Sequence, residues 1–182
     1  MFRLVDVRVT LDLNTGSADA YIDAPRFSVR SAVESDIPAL RAIARSGHRD
    51  SRFYYDENFP NHLCDELYET WIEKSCRGWA TKVFVLEDDE KIEGYVTCHV
   101  PDPSSGQIGL VGVASNAQGR GIGKVLVSHA VRWFAEEGVE KVSVVTQGRN
   151  VRAQRLYQRC GFVTRSVELW FHRWVAENRK SA

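Results

Sequence analysis

A mixed α/β fold, whose sheet is antiparallel at first and parallel where a helix crosses over, is predicted by three observations. Strand-like segments of alternating or continuous apolar character are interleaved with segments of helical period. Three successive strand-like segments between residues 82 and 114 are joined by short connections, which makes them antiparallel neighbours. The last of these runs through a glycine-rich loop into a helix and on to another strand, the connection that puts two strands in parallel.

Taken in order, residues 3–13 alternate Val5, Val7, Val9, Leu11 and Leu13 with Asp6, Arg8, Thr10 and Asp12, the period of a half-buried strand, and Asn14-Thr15-Gly16 breaks it. A second strand spans residues 27–33. Ser35 or Asp36 then caps a helix with Pro38 in its first turn and Ile37, Leu40 and Ile43 on its inner side. Asn61 caps the next helix, with Leu63, Leu67, Trp71 and Ile72 facing inward and Gly78 beyond its end. Strands at 82–87 and 92–100 flank the turn Asp88-Asp89-Glu90-Lys91, and residues 101–106 lead to a strand at 107–114. A helix from Ile122 to about Glu137 stops at Gly138, followed by a strand at 141–147, a helix from Asn150 and a long final strand at 162–174. No repeat, linker or low-complexity segment interrupts the chain. One domain is therefore expected over 26–182, preceded by a strand segment at 1–25.

Composition agrees with a soluble enzyme. The 182 residues are 43% hydrophobic and 26% charged, enough apolar material for one sizeable core. Lys and Arg total 24, as do Asp and Glu, so no net field draws the chain to nucleic acid or to an anionic membrane. Cys64, Cys76, Cys98 and Cys160 form no C-x-x-C pair, and neither a signal peptide nor an apolar run of 18 residues is present. Free thiols in a reducing cytoplasm, without a metal site, are the expectation.

The most chemically specific stretch is residues 111–124, Val-Gly-Val-Ala-Ser-Asn-Ala-Gln-Gly-Arg-Gly-Ile-Gly-Lys. Glycines at 119, 121 and 123 let backbone approach a ligand closely, and the free N–H groups of the next helix's first turn then point at it. A phosphate or pyrophosphate is the expected occupant. A P-loop is excluded twice over: Gln118 stands where its first glycine belongs, and Val125 replaces the magnesium-binding hydroxyl. A dinucleotide fingerprint also fits poorly, because the third glycine arrives one position early.

The segment Gln118-Gly119-Arg120-Gly121-Ile122-Gly123 instead resembles the pyrophosphate loop, [QR]-x-x-G-x-[GA], of the GNAT superfamily of acetyl-CoA-dependent N-acetyltransferases. A second likeness follows the 141–147 strand. Residues 150–162, Asn-Val-Arg-Ala-Gln-Arg-Leu-Tyr-Gln-Arg-Cys-Gly-Phe, resemble that superfamily's N-x-x-A-x-x-L-Y-x-x-x-G-F. The resemblance covers about residues 26–174 and implies a GNAT fold, with a mixed central sheet splayed between two parallel strands and flanked by helices. It implies acetyl-CoA as cosubstrate. Val111, Gly112 and Val113 would meet the acetyl and pantetheine groups; Gln118, Gly119, Arg120, Gly121, Ile122, Gly123 and Lys124 would hold the pyrophosphate; Asn150 would add a contact. Gly109 and Gly112, inside a strand, mark either a simple bulge or the opening for the pantetheine arm.

The implied chemistry is direct attack of a neutral amine on the thioester. The backbone N–H of Val113 is the candidate oxyanion donor, and Tyr157 the candidate acid for the departing thiolate. Seven residues make nearly two helical turns, so Asn150 and Tyr157 share a face, while Arg152, Arg155 and Arg159 cluster on the other. The 107–114 strand carries no Asp or Glu, which leaves His99 as one candidate base. His129 lies among Ile122, Val125, Leu126 and Trp133 and is expected to pack; Cys98 has no activating motif.

A narrower likeness runs through Ser51-Arg52-Phe53, Trp71-Ile72, Arg77-Gly78, Gly94-Tyr95-Val96, residues 146–150 and Trp170-Phe171-His172-Arg173. These segments resemble the bacterial TDP-fucosamine acetyltransferases, and residues 4–10 resemble the connection after an extra amino-terminal domain in those enzymes. The likeness implies a small-molecule amine acceptor, specifically a nucleotide-linked amino-deoxysugar, met by Arg52, Phe53, Arg77, His99 and Trp170, with a homodimer admitted as assembly. Another small amine, such as an amino acid or an antibiotic, is the alternative acceptor; a non-catalytic acyl-CoA-binding regulatory module is the alternative class.

Overall fold

The computed structural model describes residues 1–17 and 27–175. Seven strands form one sheet: β1 (Arg3–Asn14), β2 (Ser28–Ser31), β3 (Lys82–Asp88), β4 (Lys91–Asp102), β5 (Ser105–Val113), β6 (Lys141–Gln147) and β7 (Val163–His172). Their spatial order is β2-β3-β4-β5-β6-β1-β7. Every neighbouring pair is antiparallel except β5 and β6, which the helix α4 (Ile122–Glu136) connects in parallel. The mixed α/β class read from the sequence is the class observed.

Helices cover both faces, and the period of two along each strand divides the core accordingly. On β3, Phe84 and Leu86 join α4 and α5 (Val151–Arg159) through Leu126, Phe134, Tyr157 and Phe162. Val83 and Val85 join α1 (Ile37–Ser46) and α3 (Asn61–Lys74) through Leu40, Ile43, Tyr68 and Ile72. A short helix, α2 (Arg52–Tyr55), lies between those two. No helix among the described residues is long and apolar enough to cross a membrane.

The position of β1 is not what strand alternation alone would suggest. It lies inside the sheet, with Leu11 opposite Val144 on β6 and Val9 opposite Val167 on β7. Leu11 is wholly buried and Leu13 nearly so. Because β1 is the strand that β7 pairs with, it carries the C-terminal strand onto the sheet.

Several local expectations need correction. The inward face of α3 is set by Cys64, Tyr68 and Ile72, whereas Leu63 and Leu67 are 48% and 37% exposed. Counting leucines misplaced the stripe by one residue, about 100° around the helix. Asn61 is the first residue of α3, following Pro60 at the cap position, and makes no side-chain cap. Asp36 stands at the N-cap position of α1 but makes no side-chain cap bond; its carboxylate instead accepts from the Val33 N–H at 2.8 Å and from Arg30 at 2.7 and 3.0 Å. That arginine fork, with burial working against it, holds Asp36 below the usual carboxylate range. The final strand is also shorter than 162–174, and β2 shorter than 27–33.

Candidate functional site

β5 and β6 pair from Ser105 opposite Lys141 to Ile108 opposite Val144, and there the pairing stops. β5 nevertheless runs on to Val113 and β6 to Gln147, so the two strands separate and leave backbone facing a gap. A bulge accompanies the separation. Between Val96–Val111 and Cys98–Ile108 three steps of β5 oppose two of β4, and the Leu110 N–H donates to Thr97 Oγ1 at 2.8 Å. The bulge reading of the strand glycines thus holds for Gly109, which also lies one residue past the last β5–β6 pair. Gly112 has another cause: a Cβ there would stand 2.4 Å from the Tyr95 ring beneath it.

The parity of the ladder decides which amides face the gap. The Ala114 N–H donates to the Glu93 carbonyl at 2.8 Å, so Gly112 also faces β4, and the N–H groups of Val111 and Val113 point the other way, into the opening. A cavity of about 630 Å³ continues from it. Val111, Val145, Asn150, Ala153 and Tyr157 line its inner part.

At the far end of β5 the glycine-rich loop begins. Gly119 and Gly121 have φ of 83° and 85°, a left-handed conformation that disfavours side chains, and a Cβ on either would meet nothing within 4 Å. Gly123 differs, since its Cβ would stand 3.2 Å from Leu156, making it a contact between α4 and α5. Among the described residues, the backbone N–H groups of Gly119, Arg120, Gly121, Ile122 and Gly123 meet no acceptor, the first inside the helix being Lys124 to Gly121 at 2.9 Å. A row of free amides at the positive end of a 15-residue helix is an anion site in geometry. Arg120 pairs with Asp88, and Arg152 reaches across from α5 to donate to Gln118 Oε1. Lys124 lies in the first turn of α4.

α5 starts where Asn150 Oδ1 accepts from the Ala153 N–H at 3.0 Å, an N-cap, and Asn150 also lines the cavity. Two turns on, Tyr157 is 6% exposed and packs edge-on against Phe162 at 5.9 Å. Burial raises its phenol well above the ordinary value of 10, with Cys160 a further cause, so the hydroxyl keeps its proton at neutral pH.

The outer part of the cavity has an aromatic wall and a cationic one. His48 stacks on Tyr68 at 4.5 Å, Tyr68 on Trp71 at 6.0 Å, and Trp79 stands between Trp71 and His99 at 5.7 Å from each. Opposite them, the Arg52 guanidinium lies 4.6 Å over Trp170 and 4.5 Å over Phe53, and Arg8 lies 5.1 Å over Trp170. Arg8 pairs loosely with Glu168 at 3.5 Å. Arg52 makes no ion pair or hydrogen bond among the described residues. Its loop is pinned by Asp56, which accepts from His172 Nδ1 at 2.6 Å, Trp174 Nε1 at 2.9 Å and Asn58 Nδ2 at 2.8 Å. Burial pushes the Asp56 carboxyl up, but these bonds outweigh it and hold it far below the usual range.

Of the residues singled out from sequence, Val111, Asn150, Tyr157, Arg52, Phe53, His99 and Trp170 line one cavity, and Val113 directs its amide into the gap beside it. Arg77 is elsewhere, on the outer face of α1 and α3, bonded to Glu34 at 2.9 Å and Glu73 at 3.2 Å. His129 packs as expected, edge-on to Phe84 at 4.6 Å. Arg8, His48, Tyr68 and Trp79 also line the cavity and were missed. Arg8 reads in sequence as one polar residue among several on an alternating strand, and only the placement of β1 beside β7 brings it to Trp170.

Comparison with known proteins points the same way. The chain is 24% identical over 156 residues to the spore coat polysaccharide biosynthesis protein SpsD of Bacillus subtilis, covering 86% of this chain and 54% of that protein. It is 31% identical over 163 residues to the dTDP-fucosamine acetyltransferase of Escherichia coli O6:H1, covering 87% of this chain and 70% of that enzyme. The chain thus spans about half to two thirds of the length of these relatives. A crystal structure of a GNAT-family acetyltransferase of Novosphingobium aromaticivorans superposes with a TM-score of 0.63 at 18% identity, over 91% of this chain and 64% of that one. Residues 45–162 match the acetyltransferase (GNAT) family, and the chain belongs to it.

Proposed function

We propose that the protein transfers the acetyl group of acetyl-CoA to a primary amine by direct attack in a ternary complex, and that the amine belongs to a nucleotide-linked amino-deoxysugar. One juxtaposition carries the reading: a gap between parallel strands leads from a row of free amides to a buried, protonated tyrosine. The amides of Gly119 to Gly123 take the pyrophosphate of CoA, and the edges of β5 and β6 take its pantetheine amides as an inserted strand would. The Val113 N–H then faces the thioester oxygen. A preorganised donor of this kind lowers the barrier by about 3 kcal/mol as the oxyanion forms.

Tyr157 supplies the proton that the departing thiolate needs. Its raised pKa suits that task, since a phenol that stays protonated can donate at neutral pH.

For the acceptor, Arg52 and Arg8 offer two guanidinium groups beside the exposed part of Trp170, at the mouth of the cavity. A guanidinium fork suits a diphosphate, and an indole suits the face of a sugar or base. The named relatives act in the same direction, one being a dTDP-fucosamine acetyltransferase and the other a spore coat polysaccharide protein. The four unpaired thiols suit a reducing cytoplasm. Acetyl transfer to dTDP-linked amino sugars, free amino sugars, amino acids, polyamines and peptide amines tests the assignment. The dTDP-linked sugars are expected to give the highest kcat/KM; a free amine or peptide ahead of them would leave acetyl transfer standing and remove the sugar nucleotide.

A further inference from the structure

We infer that His99 is the base that removes the proton from the incoming ammonium, and that the glycine bulge of β5 is the device that admits its ring to the reaction floor. The inference rests on the acetyl-transfer reading above. It begins from what lines the cavity. Its titratable groups are Arg8, Arg52, Tyr68, Tyr157, His48 and His99, with no carboxylate among them. Arginine stays charged, and burial raises both tyrosines, so the imidazoles are the groups that can accept a proton at neutral pH.

The two histidines are held differently. His48 has Nε2 committed to the Tyr95 hydroxyl at 3.0 Å and its ring face against Tyr68. Burial pulls it down to about 4, which makes it a poor base. His99 sits on β4 opposite Gln107, and its Nε2 edge lies over Gly109, one residue past the last paired rung of β5 and β6. That is where the gap opens. A Cβ on Gly109 would stand 2.7 Å from His99 Nε2, so any other residue there displaces the ring.

Trp79, from the turn after α3, stands edge-on to His99, and the space over Gly109 is shared by His99 Nε2 and Thr97 Oγ1, each 2.7 Å from where a Cβ would stand. A neutral imidazole keeps one ring nitrogen as an acceptor in either tautomer. Burial lowers the His99 pKa and the nearby Trp79 backbone partly restores it; no charged neighbour contributes. The neutral form therefore dominates at pH 7.

The proton count closes. His99 takes one proton from the ammonium, and the freed lone pair forms the C–N bond. Collapse of the tetrahedral adduct breaks the C–S bond, and the thiolate takes the Tyr157 proton. The phenolate recovers a proton from the nitrogen as it becomes an amide, and His99 gives its own to cavity water.

The test compares wild type, His99→Gln and His48→Gln, following CoA thiol release from pH 5 to 9 with a dTDP-linked 4-amino-deoxysugar, or with the best amine of the panel. Wild-type kcat is expected to fall with pH along a limb whose midpoint lies below the ordinary histidine value of 6.5. His99→Gln should lose about 10²-fold in kcat at pH 7 together with that limb, with acetyl-CoA affinity unchanged by calorimetry. His48→Gln should keep the limb. Two further readouts guard against a folding defect: added imidazole should restore part of the rate of His99→Ala, and the His99 ring protons should titrate by NMR at the midpoint of the limb. A His99→Gln enzyme that keeps the limb or the wild-type kcat overturns the inference. Failure of wild type to release thiol with any amine overturns the acetyl-transfer reading itself, and this inference with it.

Discussion

Replacing Gly121 with valine separates the two tasks of the glycine-rich loop. Gly121 has φ 85° and ψ 0°, so a β-branched residue there costs about 1–3 kcal/mol of backbone strain, a fraction of the stability of a domain this size. No protein atom lies within 4 Å of the new Cβ, so the fold has room for the side chain. The ligand does not. The valine would stand in front of amides that have no other acceptor, and charge-assisted hydrogen bonds of this kind contribute about 1.5–3 kcal/mol each. Losing two of them weakens CoA binding by about 10²- to 10⁴-fold. Gly123→Ala is the control, because its Cβ meets Leu156 at 3.2 Å and not the ligand. Calorimetric titration with CoA, run beside thermal melts, should show Gly121→Val folded but nearly unable to bind, and Gly123→Ala slightly less stable with affinity kept. A folded Gly121→Val protein that binds CoA as wild type does would refute the cradle.

Other outcomes follow from the same geometry. Tyr157→Phe should lower kcat by about 10²-fold with little change in acetyl-CoA affinity, read from steady-state kinetics and calorimetry. Arg52→Ala should raise KM for a sugar nucleotide about tenfold or more and leave kcat nearly unchanged, whereas Arg77→Ala, which loses exposed ion pairs outside the cavity, should alter neither. Leu11→Ala, in a wholly buried position of the strand that carries β7, should cost about 2–5 kcal/mol in denaturant unfolding. Asp56 has a folded pKa below its unfolded one, so its stabilisation is complete above the ordinary value of 3.8 and disappears as pH falls through the lower, folded pKa; Asp56→Asn should flatten that acid limb of the stability curve.

The parts of the fold legible in the sequence are those coded locally. The loop at 118–123 and the helix from Asn150 to Tyr157 declare themselves because glycine spacing, an N-cap and a two-turn interval are properties of short segments. Placement across the sheet is different. The alternation of β1 says that it is half-buried but not that it enters between β6 and β7, so Arg8 could not be assigned to the cavity. The face of α3 was misread for a related reason: Cys64 and Tyr68 are buried, Tyr68 in the cluster that joins α1 to the sheet, while two leucines remain outside. Gly112 shows the limit of motif reading most clearly, since its missing side chain is explained by the Tyr95 ring on the next strand.

The most direct test of the account is the rate of CoA thiol release by the wild-type protein at saturating acetyl-CoA, with and without each amine of the panel. The account predicts release that depends on the amine, is fastest with a dTDP-linked amino sugar and yields the N-acetylated product in equal amount. Bound acetyl-CoA with no amine-dependent release across the whole panel would contradict it, and would leave the chain a binding module of the GNAT fold.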